Sequence, residues 1–216
     1  TLGAGYGDHD WATTVLCHTN GSSYVGGTLA GNLVRFNEDG GVDTNFPSAG
    51  ILDATDNMVD SLLQLADNGV LVGGAFLYAM DEEHAGLARL NATGGIVSAF
   101  APTLDGTNGN WNSVYALAAQ TDGKLLIGGE IREMNGVPRG NLGRLNADGS
   151  LDTAFTNGVS GPSPGVHALL MQTNGLLVGG IFTAVNGTAL TNLARFTAAD
   201  TLDTGFAVSP NSRVNA

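Results

Sequence analysis

Cysteine, positive charge and long apolar runs are all scarce in this chain. Cys17 is the single cysteine in 216 residues, which excludes an intrachain disulfide, a paired-cysteine metal site and an iron–sulfur cluster. Eight lysines and arginines stand against 20 acidic residues, for a net charge of −12. Because a phosphate backbone needs clustered basic side chains, this balance argues against nucleic acid as a partner. No apolar run approaches the roughly 18 residues that a spanning helix needs, so we expect no membrane insertion.

Motifs that carry chemistry are also missing. The four histidines (His9, His18, His84 and His167) fall in different parts of the chain and never take a metal-binding spacing. No serine-nucleophile elbow or phosphate-binding glycine loop occurs, and the glycine pairs end apolar strands rather than opening helices. We therefore expect no catalytic residue, no metal ligand and no cofactor.

What the sequence does contain is one unit repeated four times. Each copy has a glycine pair after an apolar stretch, then an arginine, and then a phenylalanine 11 residues beyond the arginine. The pairs are Gly26-Gly27, Gly73-Gly74, Gly128-Gly129 and Gly179-Gly180; the arginines are Arg35, Arg89, Arg144 and Arg195; the phenylalanines are Phe46, Phe100, Phe155 and Phe206. Self-similarity at a period near 50 residues is typical of β-propellers and related arrays.

Each copy predicts about four short antiparallel strands, because apolar runs of five to seven residues are bounded by Gly, Asn and Asp. In the first copy they are expected near residues 13–19, 22–28, 33–37 and 43–46. The repeats cover approximately residues 11–57, 58–110, 111–165 and 166–213. The fold class is therefore all-β, with residues 1–216 forming a single β-propeller domain or part of a larger one. Both faces of each blade should be buried, as with Leu142 and Leu145.

The turn at Ala147-Asp148-Gly149 sets the register of the third copy. A type I turn closed by a residue of positive φ places Leu145 opposite Leu151 and Arg144 opposite Asp152. The same register pairs Arg35 with Asp43 and Arg195 with Asp203, whereas Arg89 faces Val97 and must find a backbone carbonyl or another acid. A pair that recurs at one register is a structural cross-strand contact rather than a catalytic one. The turn also accounts for the Asn and Asp residues of segment 146–152, so we do not assign a calcium loop there.

The segments VYALAAQTDGKLLIGG and NLGRLNADGSLDTAF resemble the delta-60 β-propeller repeat of bacterial secreted and surface proteins. The resemblance covers nearly the whole chain and is clearest in the third and fourth copies. It implies a propeller fold and an extracellular setting, and it implies no catalytic activity.

Both ends of the chain resemble parts of the repeat. The chain begins at Thr1 with no basic leader, so we expect an internal or processed piece. The last four residues, 213–216, resemble the strand openings at 113–116 and 165–168. We expect residues 214–216 either to start a further blade or to pair with the sheet of the first one.

Residues that the repeat does not explain are candidates for partner contact. Two acidic groups, Asp53, Asp56 and Asp60 and then Asp81, Glu82 and Glu83, should share the face that carries the longer loops, opposite the tight turns. They form either a site for a cation or a basic partner, or a solvated rim. The predicted contact residues are Tyr78, Met80, Asp81, Glu82, Glu83, Met134 and Phe182. Tyr78 and Phe182 could instead cap the core of a blade.

The predicted function is a non-catalytic structural or binding module at a bacterial surface or in an extracellular assembly. Its linkers differ from copy to copy while its strands repeat, as in a scaffold that presents variable loops. The expected partner is a protein, a glycan or a neighbouring subunit. One alternative is a virion or tail-fibre attachment component. Another is a carbohydrate-active enzyme, which would need two carboxylates about 5–10 Å apart.

Overall fold

The computed structural model describes residues 11–29, 32–46, 58–80, 82–105, 112–206, 208 and 210–215. All regular structure in these ranges is β-strand, which confirms the all-β prediction. The described part of the chain accordingly has no helix that could cross a membrane. The residues group into an N-terminal unit, Thr1–Ala101, and a C-terminal unit, Pro102–Ala216.

The N-terminal unit contains the first two repeats. Its strands are β1 (Ala12–Cys17), β2 (Ser23–Gly27), β3 (Leu33–Phe36), β4 (Met58–Gln64), β5 (Val70–Ala75), β6 (Tyr78–Ala79), β7 (Glu82–Glu83) and β8 (Leu87–Leu90). Each repeat forms a three-stranded antiparallel sheet, β1-β2-β3 or β4-β5-β8, which we call a blade. Strands β6 and β7 form a separate short hairpin.

The C-terminal unit contains the third and fourth repeats. Its strands are β9 (Leu104–Asp105), β10 (Ser113–Ala119), β11 (Leu125–Glu130), β12 (Glu133–Met134), β13 (Val137–Pro138), β14 (Leu142–Leu145), β15 (Val159–Ser160), β16 (Gly165–Gln172), β17 (Gly175–Ile181), β18 (Ala184–Val185), β19 (Thr188–Ala189) and β20 (Leu193–Thr197). The blades are β10-β11-β14 and β16-β17-β20, and the short strands form two further three-stranded sheets.

The register predicted around the second turn of each repeat is confirmed. Isolated antiparallel bridges join Phe36 to Val42, Leu90 to Ile96, Leu145 to Leu151 and Phe196 to Leu202. The turn residues Gly40, Gly94, Gly149 and Asp200 all have positive φ, between 59° and 93°. Aspartate tolerates this conformation better than most residues, which is why Asp200 can stand where the other copies have glycine.

The predicted fourth strand at 43–46 is wrong. Pairing ends at the single bridge to Val42, because Asp43 then starts a tight turn. The Asp43 carboxylate accepts a hydrogen bond from the Asn45 amide at 2.9 Å, and the Asp43 carbonyl accepts one from the Phe46 amide at 3.2 Å. These local bonds compete with a strand ladder. The turn brings Phe46 back into the core, where it is 3% exposed.

The longer loops in the middle of repeats two to four are hairpins, which the sequence pattern did not predict. Asn135-Gly136 and Asn186-Gly187 have positive φ at both positions, as a two-residue hairpin turn requires. The linkers preceding these repeats are tied to them: Asn135 Oδ1 accepts from the Thr103 amide at 2.8 Å. In the fourth repeat, Asn186 Oδ1 accepts from the Gly158 amide at 2.9 Å. An Asn-Gly pair is a strong hairpin signal and could have revealed both.

The second and third blades bury both faces, as predicted, whereas the first and fourth do so only in part, since Val15 of β1 is 63% exposed and Leu170 of β16 is 58% exposed. Leu142 and Leu145 are each 0% exposed, and the five residues from Val70 to Gly74 in β5 are all buried. A strand whose two faces are both buried has a continuous run of apolar residues rather than an alternating pattern.

The glycine pairs allow two close approaches in each blade. The first glycine makes room for a valine of the next repeat: a methyl group on Gly26 would lie 2.5 Å from Val59 Cγ1, and one on Gly128 would lie 2.4 Å from Val166 Cγ1. The second glycine faces backbone, since a methyl group on Gly129 would lie 1.9 Å from the Ser113 carbonyl oxygen. The first strand carries a bulge opposite each pair. The glycines therefore allow close packing within and between blades.

The end of the described chain repeats this arrangement. Val214 Cγ1 lies 2.6 Å from the methyl position of Gly179, and the Val214 amide donates to the Gly180 carbonyl at 3.1 Å. Val214 thus occupies the place in which Val166 begins the first strand of the fourth repeat.

Candidate functional site

The recurring arginines form a structural unit with an aspartate and a phenylalanine. Arg35, Arg144 and Arg195 donate through Nε to Asp43, Asp152 and Asp203 at 2.7–2.8 Å. Arg89, which lacks this partner, donates to Asp67 at 2.6 Å. Every one of these arginines also lies over the phenylalanine 11 residues further on, at 4.7–5.9 Å from the ring centroid. A cation–π contact therefore explains the constant interval between arginine and phenylalanine, which the sequence pattern alone did not explain.

The ion pairs lower the pKa of their aspartates. Hydrogen bonds from Arg35 and Arg195 lower the pKa of Asp43 and Asp203, respectively. The Asp152 carboxylate also accepts from Lys124 Nζ at 2.8 Å, and Lys124 together with Arg144 lowers the pKa of Asp152 to about 2. These carboxylates are engaged by the fold, which supports their structural role.

Replacing Asp152 with alanine should lower the free energy of unfolding by about 1–3 kcal/mol, because Arg144, with a side chain 7% exposed, loses a buried partner. A folded pKa of about 2 lies below the ordinary value near 3.9. The contribution is therefore present above about pH 4 and is lost as the pH falls toward 2. Urea denaturation at pH 7 and pH 3 measures both effects. The matched control is Asp203→Ala, because its partner Arg195 is 29% exposed; equal losses in the two variants would contradict the prediction.

The predicted contact residues separate into buried and exposed groups. Met134 and Phe182 are 0% and 1% exposed, so their prediction as contact residues is wrong; both belong to the core beneath the hairpins. Tyr78 is 38% exposed, Glu83 is exposed and Met80 is half-buried, all in the β6–β7 hairpin. Glu82 accepts from Ser98 Oγ at 2.8 Å. Asp81 lies outside the described residues, as do Asp53 and Asp56.

Met80 has an unusual backbone conformation for its residue type. It has φ of 52°, and the corresponding positions of the other two hairpins are Asn135 and Asn186, with φ of 49° and 48°. Asparagine enters this region readily, whereas an unbranched apolar residue does so at a cost of about 1 kcal/mol. Asparagine would meet the hairpin geometry with less backbone strain, whereas the half-buried Met80 side chain packs against the core of the N-terminal unit.

A second set of unexplained residues lies at the bulge of each first strand. The bulge positions are Thr13 and Asp60 in the N-terminal unit, and Tyr115 and His167 in the C-terminal unit. The flanking residues repeat while these four differ in size and charge, a signal that could have identified them from sequence. Antiparallel pairing puts each bulge at the same end of its blade as the hairpins, which we call the hairpin end; the opposite end, with the tight turns, is the turn end.

In the C-terminal unit, the bulge residues form a stacked pair. The Tyr115 and His167 rings lie 4.7 Å apart and 7° from parallel. Glu130 lies beside them: a methyl group on Gly165 would be 3.1 Å from His167 Nε2 and 3.4 Å from Glu130 Cγ. Burial, and to a smaller extent the positive charge of Arg213, lowers the pKa of His167. His167 Nε2 is buried without a hydrogen-bond partner among the described residues.

In the N-terminal unit, the bulge residue Asp60 is a poorly solvated carboxyl group. Its Oδ2 atom is buried and has no hydrogen-bond partner in the described ranges. Burial raises the pKa of Asp60 to about 7. Thr13 Oγ1 donates to the carbonyl of the neighbouring Val59. The acidic group predicted for this face therefore includes one carboxyl group that the fold tends to keep neutral.

Metal ligation has little support in the parts of the chain that the structure describes. These residues contain no group of three or more His, Cys, Asp or Glu side chains able to hold a metal ion. Cys17 is exposed and free.

Comparison with known proteins gives similarity of fold. No curated protein sequence matches the chain. Among solved structures, the extracellular domain of a one-component system of B. thetaiotaomicron has a TM-score of 0.56 and 15% identity, covering 97% of this chain and 25% of that one. Streptogramin B lyase has a TM-score of 0.48 and 14% identity, and the match covers 90% of this chain and 53% of that one. PorZ, a surface component of the type-IX secretion system of Porphyromonas gingivalis, has a TM-score of 0.37 and 14% identity, and the match covers 92% of this chain and 27% of that one.

The chain thus spans about a quarter of the B. thetaiotaomicron domain, a match that supports the fold alone. A family model gives the assignment. It matches residues 21–46, 65–95, 120–155 and 172–206, more than half of the chain and one segment in each repeat. The finer identification with the delta-60 repeat stays a prediction. The chain belongs to the β-propeller family described as domain of unknown function DUF5122.

Proposed function

We propose that this chain is a non-catalytic binding module that works outside a bacterial cell and contacts a protein or glycan through the hairpin end of its blades. The observation that carries the proposal is Met80. An apolar side chain is held in a left-handed conformation at a hairpin tip, beside the exposed Tyr78, where two other repeats have asparagine. Backbone strain of this kind is retained where the side chain is needed, and the half-buried Met80 also packs against the core of its unit.

The chemistry of the hairpin favours a partner with an apolar group and a positive charge. Tyr78 offers a ring that is 38% exposed, and Glu83 across the strand pair is exposed and acidic. Aromatic residues and methionine are enriched at interfaces. The acidic chain, with its net charge of −12, would speed the encounter with a basic partner.

The recurring charged residues support a non-catalytic role. All four repeat arginines are engaged with an aspartate and a phenylalanine ring. The extracellular setting rests on the resemblance to secreted propeller repeats, and the B. thetaiotaomicron domain of similar fold is also extracellular. Protease treatment of intact cells, followed by detection with an antibody to this chain, tests the setting. Protection of the chain until lysis would contradict it.

Met80→Asn separates binding from folding. We expect it to change the free energy of unfolding by less than about 1 kcal/mol, because the relief of backbone strain offsets the lost packing of the half-buried Met80 side chain on the core, and to weaken partner binding. Binding is measured on arrays of bacterial and host glycans and with cross-linked cell-surface proteins. Tyr78→Ala should weaken the same interactions, whereas Asp39→Ala, at an exposed position of the turn end, should not. Undiminished binding by Met80→Asn and Tyr78→Ala would refute the proposed surface, and turnover of a bound glycan would refute the non-catalytic role.

A further inference from the structure

The turn end of the N-terminal unit contains an open polar cleft of about 540 Å³. Arg35 lines it together with the amides Asn20, Asn37 and Asn45, the exposed Glu38, and Thr93 of the following repeat. Ala92 is the one apolar side chain among the lining residues. This cleft lies at the opposite end of the blades from the surface proposed above and does not depend on it.

The corresponding position of the C-terminal unit is occupied by a carboxylate of the chain itself. There, Asp200 Oδ2 accepts a hydrogen bond from Arg144 Nη1 at 2.7 Å. Asp200 is the turn residue of the next repeat, and its counterpart in the N-terminal unit is Gly94. In the C-terminal unit the turn residue therefore supplies a carboxylate to Arg144. In the N-terminal unit the corresponding turn residue is a glycine and supplies none to Arg35.

The geometry around Gly94 shows that the two sites correspond. A methyl group on Gly94 would lie 3.4 Å from Arg35 Nη1, so a side chain at this position would reach the same guanidinium atom that Asp200 reaches on Arg144. The same methyl group would lie only 2.6 Å from Phe46 Cδ2. The ring blocks a side chain here, so position 94 supplies no carboxylate to Arg35 Nη1 as Asp200 does to Arg144.

Arg35 retains the capacity to bind that carboxylate. Its Nε and Nη2 atoms hold Asp43, while Nη1 makes long contacts of 3.3 Å to the Thr93 carbonyl and 3.5 Å to Tyr24 Oη. A charge-assisted hydrogen bond to a carboxylate is shorter and stronger than either of these.

We propose that this cleft binds a sugar carboxylate, such as a uronic acid, with Arg35 Nη1 on the carboxylate and the asparagine amides on the hydroxyl groups. The amides can donate and accept, as neighbouring hydroxyls require. Glu38 and Asp43 line the cleft as well, so a ligand with one carboxylate is favoured over a polyanion. The lining residues other than Ala92 carry hydrogen-bonding side chains, which favours a sugar over a peptide carboxylate carrying an apolar side chain.

Titration of the folded chain with glucuronate, followed by amide NMR shifts, tests the proposal. We expect saturable shifts confined to the lining residues, with glucose, acetate and a peptide carboxylate binding at least about tenfold more weakly, a difference of about 1.4 kcal/mol. Equal binding of glucose would show that Arg35 does not recognise the carboxylate. Equal binding of acetate would overturn the role of the amides, and tighter binding of the peptide would overturn the sugar assignment.

Two variants at Ala92, an exposed lining residue, keep the test independent of stability. Ala92→Asp introduces a negative charge in the cleft and should weaken glucuronate binding about tenfold. Ala92→Asn has nearly the same shape without the charge and should change affinity less than about threefold. Equal losses in the two variants, or no saturable binding by the unmodified chain, would overturn the proposal.

Discussion

Gly129→Ala is expected to lower the free energy of unfolding by about 3 kcal/mol or more, a large fraction of the roughly 5–15 kcal/mol by which folded domains are stable. The new methyl group would lie 1.9 Å from the Ser113 carbonyl oxygen and 3.0 Å from Val114 Cα. Both are backbone atoms of the neighbouring strand β10, so no side-chain rotation can relieve the overlap. The strands must separate where Val114 pairs with Gly129. Urea denaturation followed by circular dichroism measures the loss.

Gly205→Ala is the matched control for this change. Gly205 is exposed in the same unit, and its nearest neighbour would be Asp203 Oδ1 at 3.3 Å. This variant should stay within about 0.5 kcal/mol of the unmodified chain. If Gly129→Ala were equally mild, the close approach between β10 and β11 would not be a constraint of the fold.

Asp60→Asn should stabilise the protein at pH 8 by about 2–4 kcal/mol and leave it unchanged near pH 4. The folded pKa of about 7 lies above the ordinary value near 3.9, because burial disfavours the charged form. Between these values the folded chain holds a proton that the unfolded chain has released. Stability from this group is therefore complete below about pH 4 and is lost as the pH rises through 7. Asparagine, which is always neutral, avoids that loss.

The measurement is the difference in free energy of unfolding between Asp60→Asn and the unmodified chain at pH 4, 6 and 8. Subtraction removes the titration of the other carboxyl groups. Asp39→Asn, at an exposed turn position whose carboxylate accepts from the Gly41 amide, should differ from the unmodified chain by less than about 0.5 kcal/mol throughout. A difference for Asp60→Asn that does not change with pH would mean that Asp60 is solvated in the folded chain.

The parts of the fold that follow local rules were predictable from sequence. Alternating apolar runs predicted the three main strands of each blade, and the turn type predicted the four bridges from Phe36–Val42 to Phe196–Leu202. The fourth strand failed because the Asp43 side chain bonds to the backbone two residues on, a competition that hydrophobic pattern does not register. The hairpins were not predicted although Asn135-Gly136 signals one, because strands of two residues, such as β12 and β13, are too short to show a hydrophobic pattern.

The candidate site was less predictable than the fold. The sequence does not show whether an apolar residue in a variable loop faces solvent or the core. Met134 and Phe182 are two such residues, and both are buried. Exposure depends on what the rest of the chain covers. Variation within a repeated strand could have identified Asp60, Tyr115 and His167 from the sequence. The stacking of Tyr115 on His167 and the burial of Asp60 depend on the packing of the strands and cannot be derived from residue spacing.

The sequence by itself determined the number of repeats, the strand periodicity, the turn conformations and the arginine–aspartate register, since each depends on residues close together in the chain. The tertiary structure alone decided how the repeats use the same residues differently. Arg144 donates a hydrogen bond to Asp200 of the next repeat, whereas Arg35 faces Gly94 and an open cleft. The physical reason is distance along the chain: Arg144 and Asp200 are 56 residues apart, and only the packing of one blade on the next brings them within hydrogen-bonding range.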